Sequence, residues 1–264
     1  MAEATWYSQG AFCWAECSTS DFERAKAFYQ QVFGLDIEET PIPETAGGGT
    51  YGRFQKNGKD VAGLTPQQDQ EREQGIPPHW NTYIAVDDAE LVAKEAERLG
   101  GTIVAPAFDV LESGRMSVVM DPTGAAISFW QAKEHIGAQI YVEDGTTAWY
   151  ELMTPDPKRA VEFYTQLFGY GTEDFPVQQG TYTVLTHKGE NAAGVMTAPQ
   201  GQPPAWTPYF QVPDADATLE KATRLGATAL MPVTETEGVG RFSWISDPQG
   251  AVVAFIQPAP RPQQ

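Results

Sequence analysis

Trp14-Ala15-Glu16, Asp21, Phe28-Tyr29 and Phe33-Gly34 return later in the chain as Trp149-Tyr150-Glu151, Asp156, Phe163-Tyr164 and Phe168-Gly169. Every member of the set is displaced by 135 residues. Gly49-Thr50-Tyr51 recurs as Gly180-Thr181-Tyr182 at a displacement of 131. Beyond it, Pro77-Pro78-x-Trp80, Leu99-Gly100, Gly114-Arg115 and Asp121-Pro122-x-Gly124 recur from Pro203, Leu225, Gly240 and Asp247 at a constant 126. A displacement that steps down only between matched blocks means two copies of one domain, with shorter loops in the second. The polar stretch from Lys133 to Thr146 separates them. The expected division is a first domain over 8–132, a linker over 133–145, a second domain over 146–258 and a tail over 259–264.

Within each copy, strand and helix signals alternate. Phe12 to Ser18 reads as a strand, followed by Ser20-x-x-Glu23 as a capping box that opens a helix. Phe22, Ala25, Tyr29 and Val32 share one face of that helix, and Gly34 stops it. In the second copy, Asp156-Pro157 supplies an N-cap and a proline at the first helical position. Short strands follow near 50–55 and 61–65, then a Gln-, Pro- and acid-rich linker, then a strand over 81–86. Glu90 to Leu99 forms a helix stopped by Gly100-Gly101. Strands near 102–106, 116–120 and 126–131 complete the copy, the last two joined by an Asp-Pro-Thr-Gly turn. The period is β-α-β-β-β, twice in each copy. The Gly47-Gly48-Gly49 run lacks the Lys-Ser/Thr of a phosphate loop and reads as a flexible turn.

Composition narrows the function classes. The 264 residues carry 17 Lys and Arg against 35 Asp and Glu, a formal charge of −18. A field of that sign disfavours nucleic acid and anionic lipid, and would steer cations. Hydrophobic residues make up 41% and aromatic residues 11%, enough for packed cores rather than an acidic disordered chain. No apolar run approaches the roughly 18–20 residues of a membrane helix. Met1 to Trp6 lacks the basic and apolar regions of a signal peptide. Cys13 and Cys17, four apart on a strand, sit about 13 Å apart and cannot pair. Free thiols and a cytoplasmic location are expected.

Four βαβββ modules, an Asp-opened helix bearing Phe-Tyr and closing on Phe-Gly, and an Asp-Pro-x-Gly turn before each copy's last strand together resemble the vicinal oxygen chelate superfamily. That group holds the glyoxalases, bleomycin-resistance proteins and extradiol dioxygenases. The resemblance spans residues 10–131 and 145–257. It implies an α+β fold of two tandem glyoxalase-like domains, each an eight-stranded, cup-shaped sheet built from two βαβββ modules. The domains would pack as a pseudo-dimer, the chain being a monomer or itself a homodimer. Metal-binding members place His, Gln or Glu at four positions of each cup. Carried over, these are Trp14, Asn81, Gly63 and Ser128 in the first copy, and Trp149, Thr207, Gly194 and Ala254 in the second. None is an imidazole or carboxylate, which a catalytic divalent ion needs about three of. No metal and no other cofactor is therefore expected. His79, His135 and His187 fall in loops and read as solvated side chains, with His79 alone placed where it could reach a cup mouth.

What would face the cups instead is aromatic with a few polar groups, the make-up of a small-molecule pocket. The candidate ligand-binding residues are Trp14, Glu16, Asn81, Tyr83, Ser128 and Trp130, with Trp149, Glu151, Met153, Thr207, Tyr209 and Gln211. The bland alternative is that Trp14 and Trp149 plug cups that bind nothing. Glu16 and Glu151 are harder to dismiss, because a carboxylate in a cup needs a partner or suffers a raised pKa. Arg53, Arg115 and Arg241 are the candidate partners. The leading expectation is a metal-free binding protein of the bleomycin-resistance type. Its ligand would be aromatic, antibiotic-like or polyketide-like, and cationic or planar. The alternatives are a metal-independent isomerase, cyclase or lyase using Glu16 or Glu151 as catalytic base, a lyase with relocated metal ligands, or a regulatory or protein-binding role for a degenerate fold.

Overall fold

The computed structural model of the chain describes residues 2–44, 48–177 and 180–260. Gly47 of the triglycine turn and the last four residues of the expected tail lie outside the described residues. The elements run β1 (Ala2–Glu3), β2 (Phe12–Thr19), α1 (Phe22–Phe33), β3 (Asp36–Pro41), β4 (Thr50–Lys56), β5 (Lys59–Pro66), α2 (Asp69–Glu73), β6 (His79–Ala85), α3 (Ala89–Arg98), β7 (Thr102–Val110), β8 (Gly114–Met120) and β9 (Ala126–Ala132). They continue with β10 (Ile140–Tyr141), β11 (Thr147–Thr154), α4 (Pro157–Phe168), β12 (Gly171–Val177), β13 (Gly180–His187), β14 (Glu190–Thr197), β15 (Ala205–Gln211), α5 (Ala215–Arg224), β16 (Thr228–Ala229), β17 (Thr234–Thr236), β18 (Gly240–Ser246) and β19 (Val252–Pro258).

Each half forms one sheet of its own. The first has eight strands in the order β3-β4-β5-β2-β6-β9-β8-β7. The second repeats the order as β12-β13-β14-β11-β15-β19-β18-β16, with β17 also pairing β18. Its ninth strand is the outcome of an edge broken in two, where the first half has the continuous β7. The fold is α+β, with two cup-like sheets in tandem. In each half the antiparallel pair β2–β6 or β11–β15 joins the two βαβββ modules. The helices lie on the other side of the sheets, where Ala15, Cys17, Leu64 and Phe129 enter a core shared by both halves.

Local signals act mostly as read. Asp21, not Ser20, caps α1. Its backbone is extended and its carboxylate accepts the Arg24 N–H at 3.1 Å, so the box over Ser20 to Glu23 does not form. Asp156 caps α4 in the same way, ahead of Pro157. Gly34 and Gly169 both end their helices at φ +69°, a left-handed conformation open to glycine without strain. The segment read as a linker after β5 contains α2, and His79 begins a strand rather than occupying a loop. Both cysteines are buried and free.

The repeated Phe-Tyr and Asp-Pro-x-Gly motifs meet across the two halves. Asp247 Oδ1 accepts the Gln249 and Ala251 N–H groups at 2.8 and 2.9 Å and so folds its own turn. Its Oδ2 accepts the Tyr29 hydroxyl, from the other half's first helix, at 2.7 Å. Asp121 does the reciprocal: Oδ1 holds its turn and Oδ2 accepts the Tyr164 hydroxyl at 3.0 Å. Trp80 and Trp206 donate their indole N–H to Tyr29 and Tyr164 at 3.0 and 2.8 Å. Phe33 stacks on Phe210 with centroids 4.4 Å apart. Burial, with the Asp247 carboxylate beside it, pushes the Tyr29 hydroxyl well above its ordinary range, so it stays a donor. Replacing Tyr29 by Phe strands the Asp247 oxygen and the Trp80 N–H in the core. Urea denaturation should register a loss of about 1–3 kcal/mol, and a smaller effect for Gln31→Ala on the exposed face of the same helix.

Candidate functional site

Alternation along β2 places the site. Ala15 and Cys17 point into the shared core, so Trp14, Glu16 and Ser18 face the concave side. There, Glu16 Oε2 accepts the Tyr51 hydroxyl at 2.6 Å and Oε1 accepts the Tyr83 hydroxyl at 3.1 Å. The Trp14 indole N–H donates to Tyr51 Oη at 3.3 Å. Burial raises the Glu16 pKa, the two tyrosine hydrogen bonds oppose it, and the nearby Glu71 charge adds to it. Tyr83 packs edge-on against Trp130 at 6.3 Å and pairs in register with Ser128. Asn81 sits directly opposite Glu16 on β6. All six residues expected in the first cup thus share one concave face.

The second half repeats the arrangement. Glu151 Oε1 accepts the Tyr209 hydroxyl at 2.7 Å, and Tyr182 is its second hydroxyl partner. Trp149 donates to Tyr182 at 2.9 Å, and Trp244 donates to Tyr209 at 2.6 Å. Burial pushes the Glu151 carboxyl up to about 7, against the pull of the two tyrosines. Thr207 lies opposite Glu151 and Met153 follows on the same face. Gln211 is at the rim, donating to Asp144 Oδ1 at 3.1 Å. The two carboxylates differ in access: Glu151 is 5% exposed, whereas Glu16 is only half-buried.

The partners of Glu16 and Glu151 are therefore tyrosines and not arginines. Arg53 is engaged with Glu38 and Asp60, Arg115 with Asp109, and Arg241 with Asp216. Tyr51, Tyr182 and Trp244 are site residues that the sequence reading missed. The signal for two of them was on the page, because the Gly-Thr-Tyr block repeats at a fixed displacement with no local structural reason for its tyrosine. The histidines also depart from expectation. His135 is packed edge-on against Trp14 at 4.7 Å, its Nε2 buried without a hydrogen-bond partner. Burial lowers its pKa against the pull of Asp60. It belongs to a strap, residues 133–139, that crosses the first cup. Trp130 donates to the His135 carbonyl at 2.8 Å, and the Ala138 and Gln139 N–H groups donate to the Cys13 and Asp60 carbonyls at 2.8 and 2.7 Å. A polar cavity of about 470 Å³ lies beside the strap, lined by Arg53, Asp60, Ser113, His135 and Gln139 among others. His187 is held by Ser8 at 3.0 Å, between its hairpin and the N-terminal arm.

The donor set does not fit the superfamily's divalent metal. A side chain at Gly63 would drive its Cβ to 2.5 Å from Tyr51 Oη, and one at Gly194 would fall on the Tyr182 hydroxyl. Tyrosine oxygens already bound to a carboxylate occupy the space where metal-binding members extend a ligand. The other inherited positions offer indole, amide, hydroxyl and methyl groups. Among the described residues, no group of three or more His, Cys, Asp or Glu is disposed to hold a metal ion. What the arrangement offers is a proton-exchanging carboxyl held by two phenols between indole rings. That chemistry suits a hydrogen bond to a ligand hydroxyl or a proton transfer.

The raised Glu151 pKa has a thermodynamic consequence. Between its ordinary 4.5 and about 7, the unfolded chain releases this proton while the folded chain keeps it. The stability tied to the protonated group is present below 4.5 and lost as pH rises toward 7. Glu151→Gln should remove this component. Relative to the variant, the wild type should lose roughly 1–3 kcal/mol between pH 4.5 and pH 7.5 in chemical denaturation. Parallel curves would show that Glu151 ionises normally in the folded state.

Comparison with known proteins agrees with this architecture. A family profile described as the Glyoxalase/Bleomycin resistance protein/Dioxygenase superfamily matches residues 14–129 and 146–255. The chain is 41% identical over 263 residues to the glyoxylase-named protein CFP32 of Mycobacterium tuberculosis (strain CDC 1551 / Oshkosh), covering 99% of this chain and all of that one. It is 30% identical over 272 residues to the anthracycline biosynthesis protein DnrV of Streptomyces peucetius, covering 96% and 95% of the two chains. In fold it resembles the Mn(II)-bound glyoxalase of Novosphingobium aromaticivorans, with a TM-score of 0.64 at 17% identity over 95% of this chain and 83% of the other. With two matched segments, two cups of one topology and relatives that align end to end, the chain belongs to the Glyoxalase/Bleomycin resistance protein/Dioxygenase superfamily.

Proposed function

We propose that this chain binds a small, planar, hydroxylated aromatic compound in its cups and does so without the superfamily's metal. One observation carries the reading. In both halves, a carboxylate with two tyrosine partners and a nearby indole stands at the inward positions of the cup. A carboxylate there accepts a ligand hydroxyl, and in the second cup the partly exposed indoles of Trp149 and Trp244 supply flat apolar surface. The relative named for anthracycline biosynthesis favours a fused-ring, polyketide-like ligand of the kind that a bleomycin-resistance-type binder would sequester or present. The charge of −18 adds attraction for a ligand that also carries an amine. No helix among the described residues is long and apolar enough to cross a membrane; the cytoplasmic location we propose is supported by two cysteines that are both free thiols.

A second reading is favoured by the Glu151 pKa of about 7, which suits a group that takes and returns a proton at neutral pH. In it, Glu16 or Glu151 is the base of a metal-independent isomerase, cyclase or lyase. Titration of the purified protein with 1,4-dihydroxyanthraquinone separates the two readings. Saturable quenching of tryptophan fluorescence, with the compound recovered unchanged, is expected for the binder. Conversion abolished by Glu16→Gln or Glu151→Gln would establish the enzyme, and an absence of any saturable signal would overturn the binding reading. Elemental analysis of natively purified protein should find zinc, nickel, manganese and iron far below one equivalent per chain. Near-stoichiometric metal would refute the metal-free claim.

A further inference from the structure

The two concave faces differ in what lies on them. The strap that follows β9 crosses the first cup and is fastened along its length. Besides the bonds from Trp130, Ala138 and Gln139 already described, the Gln139 side-chain carbonyl accepts the Asp60 N–H at 3.0 Å. The N-terminal arm adds a latch, the Tyr7 hydroxyl donating to the Ala138 carbonyl at 2.7 Å. Trp14, Tyr83, Trp130 and Ala138 share one buried apolar cluster, with Tyr7 packed against it. Each of these four residues is between 2% and 6% exposed, which leaves no ring face open to a ligand. Gly137 measures how closely the strap is seated. Its φ of +106° suits glycine, and a Cβ there would lie 2.4 Å from the Cys13 carbonyl oxygen. Backbone rests on backbone, with no room for a ring between strap and β2.

The second cup is built differently at the matching positions. Trp149 repeats Trp14 at a displacement of 135, and Phe242 and Trp244 replace Met116 and Val118 at 126. All three aromatic residues are partly exposed. On the edge strand β12, Phe175 pairs with Tyr182 and is 48% exposed, whereas Thr40 pairs with Tyr51 in the first half. Tyr182 is the hydroxyl to which Trp149 donates, so Phe175 continues the aromatic surface from the floor of the cup to its rim. Rings left to water on an inward-curving face gain by being covered.

We propose that the strap is a built-in occupant of the first cup, and that the chain therefore has a single ligand site, the cup of the second half, where a planar aromatic compound stacks on Trp149, Trp244, Phe242 and Phe175. The first half then acts as a brace. Tyr29 holds the turn between β18 and β19, and Phe33 stacks on Phe210 of β15, the strand that carries Tyr209.

The inference rests on the binding reading above for its ligand, but the filled first cup is tested without one. By hydrogen exchange of the free chain, the Ala138 and Gln139 amides should exchange as slowly as those of β2. Tyr7→Phe should speed them roughly fivefold to tenfold, the worth of one hydrogen bond. Fast exchange in the wild type would overturn the built-in occupant. The ligand probe is 1,4-dihydroxyanthraquinone, titrated into the full chain. A single equivalent should saturate it and slow exchange in residues 147–154 and 240–246. Phe175→Ser, at an exposed position, should weaken binding roughly threefold to tenfold, the worth of one stacked ring. Tyr7→Phe should leave affinity and stoichiometry unchanged. A second equivalent, ligand protection of residues 12–19, or full affinity in Phe175→Ser would overturn the single-site assignment while leaving small-molecule binding intact. Ligand-free protection of residues 147–154 that grows with protein concentration would give the second face to another copy of the chain and overturn it as well. Failure of the anthraquinone to bind would overturn the binding reading and the second-cup site together, with the strap still judged by exchange.

Discussion

A tyrosine on the first helix of each half donates its hydroxyl to the aspartate of the other half's Asp-Pro-x-Gly turn, and this exchange is the constraint on which the structure depends. Each aspartate uses one oxygen to close its own turn and the other to hold the opposing helix. A tryptophan caps each tyrosine from the remaining side, so no lone pair or proton at the junction is left to solvent. An unmet group there would cost the full desolvation penalty, because the surrounding core is continuous across both halves. The pairing fixes how two sheets with identical strand order lean on one another. It also leaves the junction's polar groups apart from the concave faces that carry Glu16 and Glu151.

On those concave faces the chain has exchanged one kind of polar economy for another. Superfamily members that bind metal neutralise inward-facing donors with a cation. Here phenol hydroxyls hydrogen-bond the carboxylate in each half, and in the second half burial raises its pKa to about 7. Gly63 and Gly194 belong to this solution. A bare backbone at these positions lets the tyrosine ring lie close enough for its hydroxyl to reach Glu16 or Glu151. Glycine, tyrosine and glutamate are thus one unit in each half. Any substitution that restored a side chain at the glycine would have to displace the tyrosine first.

The halves have then diverged around that shared unit. The first carries α2 at one end of its cup, with Glu71 against Ser18 and His79. The second has kept an aromatic surround, in which Trp244 supports Tyr209 where the first half has Val118. Duplication explains the pairing, because two copies that share one junction are free to change their outer faces independently. A single-domain homodimer has identical cups by symmetry and cannot divide tasks in this way.

Much of this was legible in the sequence, for a definite reason. Repeat displacement, turn chemistry, helix caps and strand alternation act over a few residues, so the two copies, the four βαβββ modules and the inward face of β2 follow from local rules. The inward places of Trp14, Ser128 and Tyr83 were readable too, since strand alternation sets them on the face opposite Ala15 and Phe129. What tertiary structure alone decided is which side chains from distant strands share a space. Tyr51 reaches Glu16 only because parallel pairing sets Gly63 beside it. Tyr29 finds Asp247 across 218 residues. His135 is packed against Trp14 and only partly exposed, not a solvated loop residue, because its segment folds back over the cup. Such contacts depend on sheet register and on the packing of the two halves, which no local spacing encodes.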